Sequence, residues 1–238
     1  MKGPYGFELS ENCRNCKLRG NGFFCQLSDP VLKNFEEIRS SYVYPAGAVL
    51  FVEKQNCRGV YVLCEGEVKL SISSREGKTM IVRIAKAGEM LGLLAMISGT
   101  SYNVTAETLR PSQVVFINRE EFLRFIGQHP EAHQNMIRQL SLQYQATCEL
   151  VRTLGLTSSV PERLAKLLLD WSADAPTTKG ATKMKLPLTH EEIAECIGVT
   201  RETVSRTLTE FKQRHLITLQ GSTLVIPNRV ALERVVNG

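Results

Sequence analysis

The sequence predicts an α+β protein in which an N-terminal β-roll is followed by a long helix and a C-terminal winged helix-turn-helix. Short strands punctuated by glycines extend over residues 42–117, and a helical pattern of apolar residues covers residues 131–154. Two helix-start signals then lie close together within residues 189–203. A chain of 238 residues is long enough to bury a core in each of two domains.

Composition restricts the class of protein. Hydrophobic residues make up 43% and charged residues 22% of the chain, as in an ordinary globular protein rather than a disordered one. The N-terminal stretch MKGPYGFELSENC lacks the apolar core of an export signal, and no apolar run approaches the ~18 residues of a membrane span. We therefore expect a soluble, cytoplasmic protein without a membrane partner. The net charge of +5 permits nucleic-acid binding without requiring it.

The glycine-punctuated region contains one strand with strict alternation. Apolar and polar side chains alternate through residues 67–73, which places Val68, Leu70 and Ile72 together on one face. The segment SREGKT then predicts a hairpin turn, after which residues 81–84 pair back onto the first strand. Many short strands with evenly spaced glycines are typical of a roll or barrel that closes on itself and so hides its edges.

The pattern changes to helices after Asn118. A short helix is predicted over NREEFLRFIGQHP, and a long one over residues 131–154 carries an apolar stripe at steps of three and four. The stripe consists of Met136, Ile137, Leu140, Tyr144, Cys148, Val151 and Leu154. Because it is longer than one roll covers, we favour a dimer seam over packing within a single domain. The segment GLTSSVP, residues 155–161, breaks the helix and forms a predicted hinge.

Two capped helices separated by a glycine follow in LPLTHEEIAECIGVTRETVSRTLTEFKQRHLI. Thr189 and Glu192 form a capping box at the start of the first helix. Gly198 suits the left-handed end of that helix, and Thr200 caps the second one. Apolar residues on both helices form a small shared core: Ile193, Ala194, Ile197, Val204, Leu208 and Phe211. This combination predicts a helix-turn-helix, and the hairpin LITLQGSTLVI after it is typical of a wing.

The second helix of this pair opens with polar residues suited to reading DNA. They cluster on one side of its N-terminal end, where a helix in the major groove meets base edges. Arginine pairs with guanine, glutamate accepts from cytosine, and serine or threonine bonds a base or a phosphate. The predicted DNA-contacting residues are Thr189, Thr200, Arg201, Glu202, Thr203, Ser205 and Arg206. A solvated polar helix face is the alternative, which the coincidence of both caps with this cluster disfavours.

From about Cys13 to its C-terminus the chain resembles the CRP/FNR superfamily of bacterial transcription regulators. The resemblance rests on the order of a glycine-punctuated roll, a long helix and a winged helix with TRETVSRTL in the recognition position. Arg201, Glu202 and Arg206 match the motif of the cyclic-AMP branch. Glu202, Ser205 and Arg206 also match the motif of the oxygen-sensing, FNR-like branch. The N-terminal cysteines make the chain more similar to this FNR-like branch than to the cyclic-AMP branch.

The resemblance implies a domain order and a mode of action. It implies a cysteine-containing segment at 1–29, a sensor roll at 30–118, a short and a long dimerisation helix at 119–157, and a winged helix-turn-helix at 158–238. The roll would be a double-stranded β-helix, a jelly-roll like that of cyclic-nucleotide-binding domains. The implied function is sequence-specific transcription regulation by a homodimer on double-stranded DNA with an inverted repeat of TGA-containing half-sites. Activation through RNA polymerase is implied by family membership alone.

Cyclic AMP is not the expected effector. Members of the family that bind it carry Gly-Glu-Leu and then Arg-Ser in the roll. The matching stretch here is LGLLAMISGTSYNVTA, in which Leu93 replaces the glutamate, and Thr100 and Ser101 replace the Arg-Ser pair. Cys148 and Glu149 replace the Thr-Ser of the long helix. Without the arginine a buried phosphate has no ionic partner, which is unfavourable.

Three of the seven cysteines, spaced Cys13-x2-Cys16-x8-Cys25, form the candidate sensor. An odd number of cysteines without an export signal indicates reduced thiols or metal thiolates rather than a disulfide framework. Resemblance to the oxygen-sensing branch implies a [4Fe-4S] iron–sulfur cluster, held by three such cysteines and one from the roll, because these clusters require thiolate ligands. The third spacing is longer here than in that branch.

The fourth ligand of such a cluster must come from another position, because the residue that matches the roll cysteine of the oxygen-sensing branch is Val115 here. We predict Cys57, in the turn KQNCRG, rather than Cys64, because a turn is accessible and a strand cysteine more often packs as a small hydrophobic residue. Cys148 and Cys196 lie in apolar helix stripes and are expected to pack.

Several interpretations of the sensor stay open. Zinc, a thiol–disulfide switch or packing without any metal are alternatives to a cluster at the N-terminal cysteines. Another small molecule in the roll, contacted by Tyr61, Tyr102 or Asn103, is an alternative effector, and so is a regulator without any ligand. Catalysis is not expected, because all four histidines lie outside the roll and no nucleophile elbow, phosphate-binding glycine loop or HExxH motif occurs.

Overall fold

The computed structural model describes residues 4–6, 9, 12–20, 22, 24–156, 159–173, 175–178 and 181–236. The chain divides into two compact units, Met1–Ala146 and Thr147–Gly238. The predicted hinge and the predicted domain boundary at 157/158 involve Thr157 and Ser158, which lie outside the described residues. The domain limits therefore stay predictions. No helix in the described ranges is long and apolar enough to cross a membrane.

Two four-stranded antiparallel sheets form the roll of the first unit. Their strands are β1 (Ser40–Tyr44), β2 (Val49–Phe51), β3 (Gly59–Glu65), β4 (Glu67–Ser73), β5 (Thr79–Lys86), β6 (Met90–Leu91), β7 (Thr105–Thr108) and β8 (Ser112–Asn118). One sheet has the order β1-β8-β3-β6 and the other β2-β7-β4-β5. Buried side chains from both sheets share one core, which confirms the predicted roll.

Strand β4 coincides with the strand predicted from alternation, but its buried face is shorter. Val68 and Leu70 are buried, as the alternation predicts. Ile72 is 38% exposed, because the pairing of β4 with β7 ends at Ser71 and only β5 continues beside it. The segment SREGKT forms the predicted hairpin, with Gly77 at a φ of 82°.

Helices cover the outer face of the β1-β8-β3-β6 sheet. They are α1 (Asp29–Glu37), α3 (Arg119–Gln128) and the first half of α4 (Pro130–Leu156), while the short α2 (Leu93–Ser98) follows β6. A second core joins this sheet to the helices and to the segment before α1. Its members from outside the sheet include Phe24, Leu27, Leu32, Phe35, Phe122, Phe125, Ala132 and Met136. The residues that precede α1 are thereby anchored against the roll.

The apolar stripe of the long helix α4 divides between two environments. Met136 is buried in the second core. Ile137, Tyr144 and Val151 are 53%, 72% and 65% exposed, so a different side of the helix is uncovered in the single chain. Cys148 is exposed on that side, contrary to the expectation that it packs. The stripe therefore packs against the roll at Met136 and is exposed to solvent at Ile137, Tyr144 and Val151.

The second unit is a winged helix-turn-helix, as predicted. Its helices are α5 (Val160–Trp171), α6 (His190–Ile197), α7 (Arg201–Gln213) and α8 (Arg229–Val236). Strands β9 (Thr177–Thr178), β10 (Ala181–Lys185), β11 (Thr218–Gln220) and β12 (Thr223–Ile226) form an antiparallel sheet in the order β11-β12-β10-β9. The β11–β12 hairpin turns at Gly221, which has a φ of 58°, and forms the wing.

Candidate functional site

The helix pair α6 and α7 has the capped geometry that the sequence predicts. The Thr189 hydroxyl accepts a hydrogen bond from the backbone N–H of Glu192 at 3.3 Å, and the Glu192 carboxylate accepts one from the Thr189 N–H at 2.9 Å. Gly198 ends α6 in the left-handed conformation, with a φ of 69°. The Thr200 hydroxyl accepts from the N–H of Thr203 at 3.3 Å and so caps α7. The relative position of the two helices is fixed by their shared buried core.

Helix α7 exposes the predicted polar cluster at its N-terminal end. Arg201, Glu202 and Arg206 are exposed, and Ser205 is half-buried. Hydrogen bonds from its own backbone N–H and from the Thr200 hydroxyl lower the pKa of Glu202, which is therefore a carboxylate at neutral pH. An ionised acceptor and two guanidinium donors thus stand together, as a helix that reads base edges needs. Contact of these four residues with DNA stays a prediction.

Three further predicted DNA contacts, Thr189, Thr200 and Thr203, use their hydroxyls inside the protein. Thr189 Oγ1 lies 3.0 Å from Glu192 Oε2, and the hydroxyls of Thr200 and Thr203 lie 3.1 Å apart. A hydroxyl carries one donor and two acceptor positions, so a cap leaves room for a phosphate contact. Their role at DNA stays a prediction beside the capping role that the structure shows.

Ser205 is held by His190, a residue outside the predicted DNA-contacting set. Nδ1 of His190, the first residue of α6, lies 2.9 Å from Ser205 Oγ. The two residues are fifteen positions apart and meet because α6 and α7 pack against each other. No spacing rule for a single helix indicates such a contact.

The three N-terminal cysteines meet at a small cavity beside the roll. Cys13, Cys16 and Cys25 line a space of about 20 Å³ together with a fourth cysteine, Cys64 of β3. The other lining residues are Leu18, Phe24, Phe35, Arg39, Val62 and Val115. Val115 is the position at which the resemblance implies the cysteine from the roll. The cavity therefore lies beside that position, and Cys64 of the neighbouring strand brings a fourth sulfur to its lining.

The structure places Cys64, and not the predicted Cys57, beside the three N-terminal cysteines. Cys57 is not among the residues that line the cavity; it packs between the two cores of the roll. Cys64 shares one side of β3 with Val62, and the ladder between β3 and β8 shifts its register between Leu63 and Glu65. A bulge of this kind re-aims side chains at the end of a strand. Accessibility of the turn therefore does not bring Cys57 to the cavity, because the N-terminal segment docks on β3, and which cysteine binds a metal stays a prediction.

Burial and one cation determine the electrostatics of the cavity. Burial raises the pKa of Cys13, and it raises the pKa values of Cys25 and Cys64 to about 12. These side chains are therefore neutral thiols at neutral pH. The guanidinium of Arg39 acts in the opposite direction on Cys13 and Cys64 and favours their thiolates. The cavity thus combines thiols with a positive charge.

Aromatic side chains fill part of the interior of the roll. Tyr102 is 2% exposed and stacks on Phe51 with ring centroids 4.0 Å apart. Its hydroxyl donates to the Gly59 carbonyl at 2.8 Å, so its polar group is paired within the protein. Leu93, which replaces the ribose-binding glutamate, is buried, and Asn103 is exposed. These positions offer a ligand in the roll no charged contact.

Comparison with known proteins finds two domain families in the chain. Residues 42–129 match the cyclic nucleotide-binding domain, and residues 162–235 match the Crp-like helix-turn-helix domain. The transcriptional activatory protein AadR of Rhodopseudomonas palustris is 30% identical over 222 residues, which cover 90% of each chain. The chain belongs to the CRP/FNR superfamily of transcription regulators. Its Crp-like helix-turn-helix domain makes it a DNA-binding transcription regulator.

Other CRP/FNR proteins similar to this one respond to different effectors. A CRP-like cAMP-activated global transcriptional regulator of Mycobacterium tuberculosis is 29% identical over 192 residues, covering 80% of this chain and 85% of the relative. The c-di-GMP responsive regulator CLP of Xanthomonas campestris has a TM-score of 0.75 at 19% identity, covering 84% of this chain and 99% of the other. FixK2 from Bradyrhizobium japonicum has a TM-score of 0.73 at 22% identity, covering 83% and 97%. The structural likeness shows that the CRP/FNR fold is shared.

Proposed function

We propose that this CRP/FNR regulator binds an inverted repeat with TGA-containing half-sites as a homodimer, through the N-terminal end of α7. The observation that carries the proposal is the exposed cluster of Arg201, Glu202 and Arg206 on a capped helix. Two guanidinium groups and a carboxylate provide donors for guanine and an acceptor for cytosine. Each protomer then reads one half-site, since a dimer presents two recognition helices.

A second copy of this chain is the proposed occupant of the uncovered side of α4. Ile137, Tyr144, Cys148 and Val151 recur on that side at steps of seven, four and three, and all are exposed. Large apolar side chains aligned along one helix face are unusual on a monomer surface. Two copies related by a twofold axis place the same residues against each other and cover both stripes.

We infer that the cysteine cavity is the sensor and that Cys13, Cys16, Cys25 and Cys64 are its metal ligands. Four thiols are a soft donor set, which suits an iron–sulfur cluster or zinc. Among the residues described, no three His, Cys, Asp or Glu side chains already surround a metal position, so the thiols would have to move to bind one. The space of about 20 Å³ is roughly that of one or two waters. A single ion fits this space, whereas a four-iron cluster requires the N-terminal segment to shift outward.

The surroundings of the thiols support this use. The Leu18 backbone N–H lies 3.4 Å from Cys16 Sγ, and Arg39 lines the cavity. An N–H donor and a cation both stabilise thiolates, whose combined charge is otherwise unfavourable at a half-buried site. When bound, an iron–sulfur cluster supplies sensitivity to oxygen or to redox potential. The residues of the chain supply the ligands, the positive charge and the apolar wall.

The N-terminal segment is fastened to the proposed dimer helix, which gives the sensor a route to DNA binding. The backbone N–H and the hydroxyl of Ser28 donate to the Glu131 carboxylate of α4 at 3.0 and 2.5 Å. The side chain of Gln139, also on α4, bonds both the N–H and the carbonyl of Met90. Met90 pairs with Val62, which lines the cavity. A change in how the cysteine segment packs therefore acts on the helix through which two protomers meet.

Family membership alone supports the remaining parts of the proposal. They are residence in the cytoplasm, activation through contact with RNA polymerase, and regulation without catalysis. The relatives AadR and the CRP-like regulator of Mycobacterium tuberculosis are transcription regulators. A different small-molecule effector in the roll, or none, is the alternative to the cysteine sensor.

Metal analysis under anaerobic conditions tests the sensor. Protein purified without oxygen is expected to carry iron and sulfide, with broad absorbance near roughly 400 nm that bleaches in air. Zinc without colour would keep the four-cysteine site and replace the cluster by a single ion. Protein that contains no metal, and binds DNA equally with and without oxygen, would contradict the sensor and favour the alternative effector.

Replacement of Arg206 by alanine tests the recognition helix. R206A is expected to lower affinity for a selected operator by about 1 to 3 kcal/mol and to relax base preference at one half-site position, because one bidentate arginine contact is lost. Arg214, at the other end of α7 and paired with Glu210, provides the control. R214A removes the same charge and is expected to affect operator and random DNA equally. An equal loss on both duplexes for R206A would contradict its role in base recognition.

A further inference from the structure

We propose that His190 is a positioning residue for DNA recognition, which orients the Ser205 hydroxyl toward the operator. The inference rests on the proposed DNA contact of Ser205 and deepens it by adding a residue from the other helix of the pair. Its basis is the distance of 2.9 Å between His190 Nδ1 and Ser205 Oγ. Both residues are half-buried, so the contact lies at the edge of the α6–α7 interface rather than in open solvent.

The other hydroxyls along α7 show what Ser205 would do without the histidine. Thr207 Oγ1 donates to the Thr203 carbonyl and Thr209 Oγ1 donates to the Ser205 carbonyl, both at 2.9 Å. Such a bond to the carbonyl four residues earlier is a common state of serine and threonine inside a helix, and a side chain that points to solvent is the other. Ser205 has the Arg201 carbonyl available in the same way, yet its Oγ is bonded to His190. The imidazole therefore competes with the helix backbone for this hydroxyl.

The partner of the hydroxyl determines what Ser205 offers to DNA. A serine that donates to a carbonyl of its own helix uses its only hydrogen-bond donor, the hydroxyl proton, for that bond. When Nδ1 of His190 carries no proton, Ser205 donates to the ring and presents its oxygen as an acceptor. When Nδ1 carries the proton, the ring donates, and the Ser205 proton is free for guanine O6 or thymine O4. In either case His190 fixes the rotamer before DNA arrives.

The fold holds this pair in place without a flexible element. His190 directly follows the capping box of Thr189 and Glu192, which fixes the start of α6. Val204, the neighbour of Ser205, is fully buried between the two helices. An oriented hydroxyl binds at a lower entropic cost than one that must be immobilised on binding. His190 thus contributes to specificity even where it does not itself touch a base.

Equilibrium binding to three kinds of duplex tests the inference. The probes are a duplex selected by the wild-type protein from a randomised library, the same duplex with single half-site base pairs replaced, and a random duplex. H190A and S205A are each expected to weaken binding to the selected duplex about 3- to 10-fold, the equivalent of one net hydrogen bond. Binding to the random duplex is expected to stay unchanged. The double variant is expected to lose no more than either single one, because both remove the same interaction.

A conservative variant separates positioning from mere packing. The amide of asparagine reaches the place of Nδ1, whereas the longer glutamine places its amide nearer to Nε2. H190N is therefore expected to bind the selected duplex within about twofold of wild type, and H190Q to behave like H190A. Thermal unfolding of each variant shows whether α6 and α7 are still folded, and this readout does not respond to the orientation of a hydroxyl.

Three results would overturn the inference. H190A that binds like wild type, while S205A is weakened, would show that the hydroxyl needs no partner. Equal weakening of H190A, H190N and H190Q on selected and random duplexes would make His190 a packing residue only. S205A with unchanged affinity and base preference would remove the contact on which the inference rests. R206A, measured in the same series, shows separately whether α7 reads DNA, so failure of the proposed function is distinguishable.

Discussion

Serine in place of Cys64 lowers the metal content of anaerobically purified protein by more than about 10-fold, whereas serine in place of Cys57 leaves it unchanged; this is the expected result. Cys64 lines the cavity with the three N-terminal cysteines, and Cys57 does not. A hydroxyl is a poor ligand for iron–sulfur clusters and zinc, and even residues that only support a ligand cost 10- to 100-fold in metal affinity. Iron, sulfide and zinc per chain are the quantities to measure.

The pair of variants C64S and C57S is matched, because each removes one sulfur from a half-buried cysteine of the same domain. Comparable loss of metal in both variants would indicate general destabilisation of the roll rather than ligation. Loss of metal in C57S alone would contradict ligation by Cys64 and would support Cys57, the fourth ligand predicted from the sequence. Circular dichroism of both variants shows whether the roll is intact.

Leucine in place of Gln139 is expected to lower the free energy of unfolding by about 2 to 4 kcal/mol. The Gln139 side chain is 1% exposed and bonds the Met90 N–H at 3.3 Å and the Met90 carbonyl at 2.6 Å. Met90 is fully buried, so leucine removes the Gln139 bond to its N–H, which costs about 1 to 3 kcal/mol if no water replaces it. It also removes the shorter of two bonds to the Met90 carbonyl and leaves only the 3.4 Å contact with Gln143, which costs about 0.5 to 1.5 kcal/mol more. Urea unfolding, followed by a signal from the first unit, measures the difference.

Gln143, one turn further along α4, provides the control for Gln139. Its amide lies 3.4 Å from the same Met90 carbonyl, and the residue is only half-buried. Q143L is therefore expected to cost less than about 1 kcal/mol. Equal losses in the free energy of unfolding for Q139L and Q143L would mean that the buried bonds of Gln139 contribute no more than the half-buried contact of Gln143. Unchanged stability of Q139L would show that the Gln139–Met90 contact does not stabilise the first unit.

The DNA-binding helices could be predicted because their signals are local. The capping box of Thr189 and Glu192, the glycine at Gly198 and the cap at Thr200 each depend on residues within one helical turn. These local rules place both ends of α6 and the start of α7 at their observed positions. They also place Arg201 and Arg206 on the exposed side, because the helical period alone decides which side is apolar.

The cysteine site could be predicted only in part. Short spacing keeps Cys13 and Cys16 close along the chain, and this spacing indicates a shared thiol site. The fourth member depends on where the N-terminal segment docks and on the register shift near the end of β3. Neither is encoded in a local pattern, because docking is a sum of many apolar contacts with distant residues.

What the sequence by itself determined is the family, the order of elements and the helix-turn-helix, since periodicity, caps and turns act over a few residues. The tertiary structure alone decided three contacts: Cys64 with the N-terminal cysteines, Gln139 with Met90, and His190 with Ser205. Each joins residues from separate elements. Such contacts follow from how sheets and helices pack against each other, and packing is set by the shape of whole surfaces rather than by spacing along the chain.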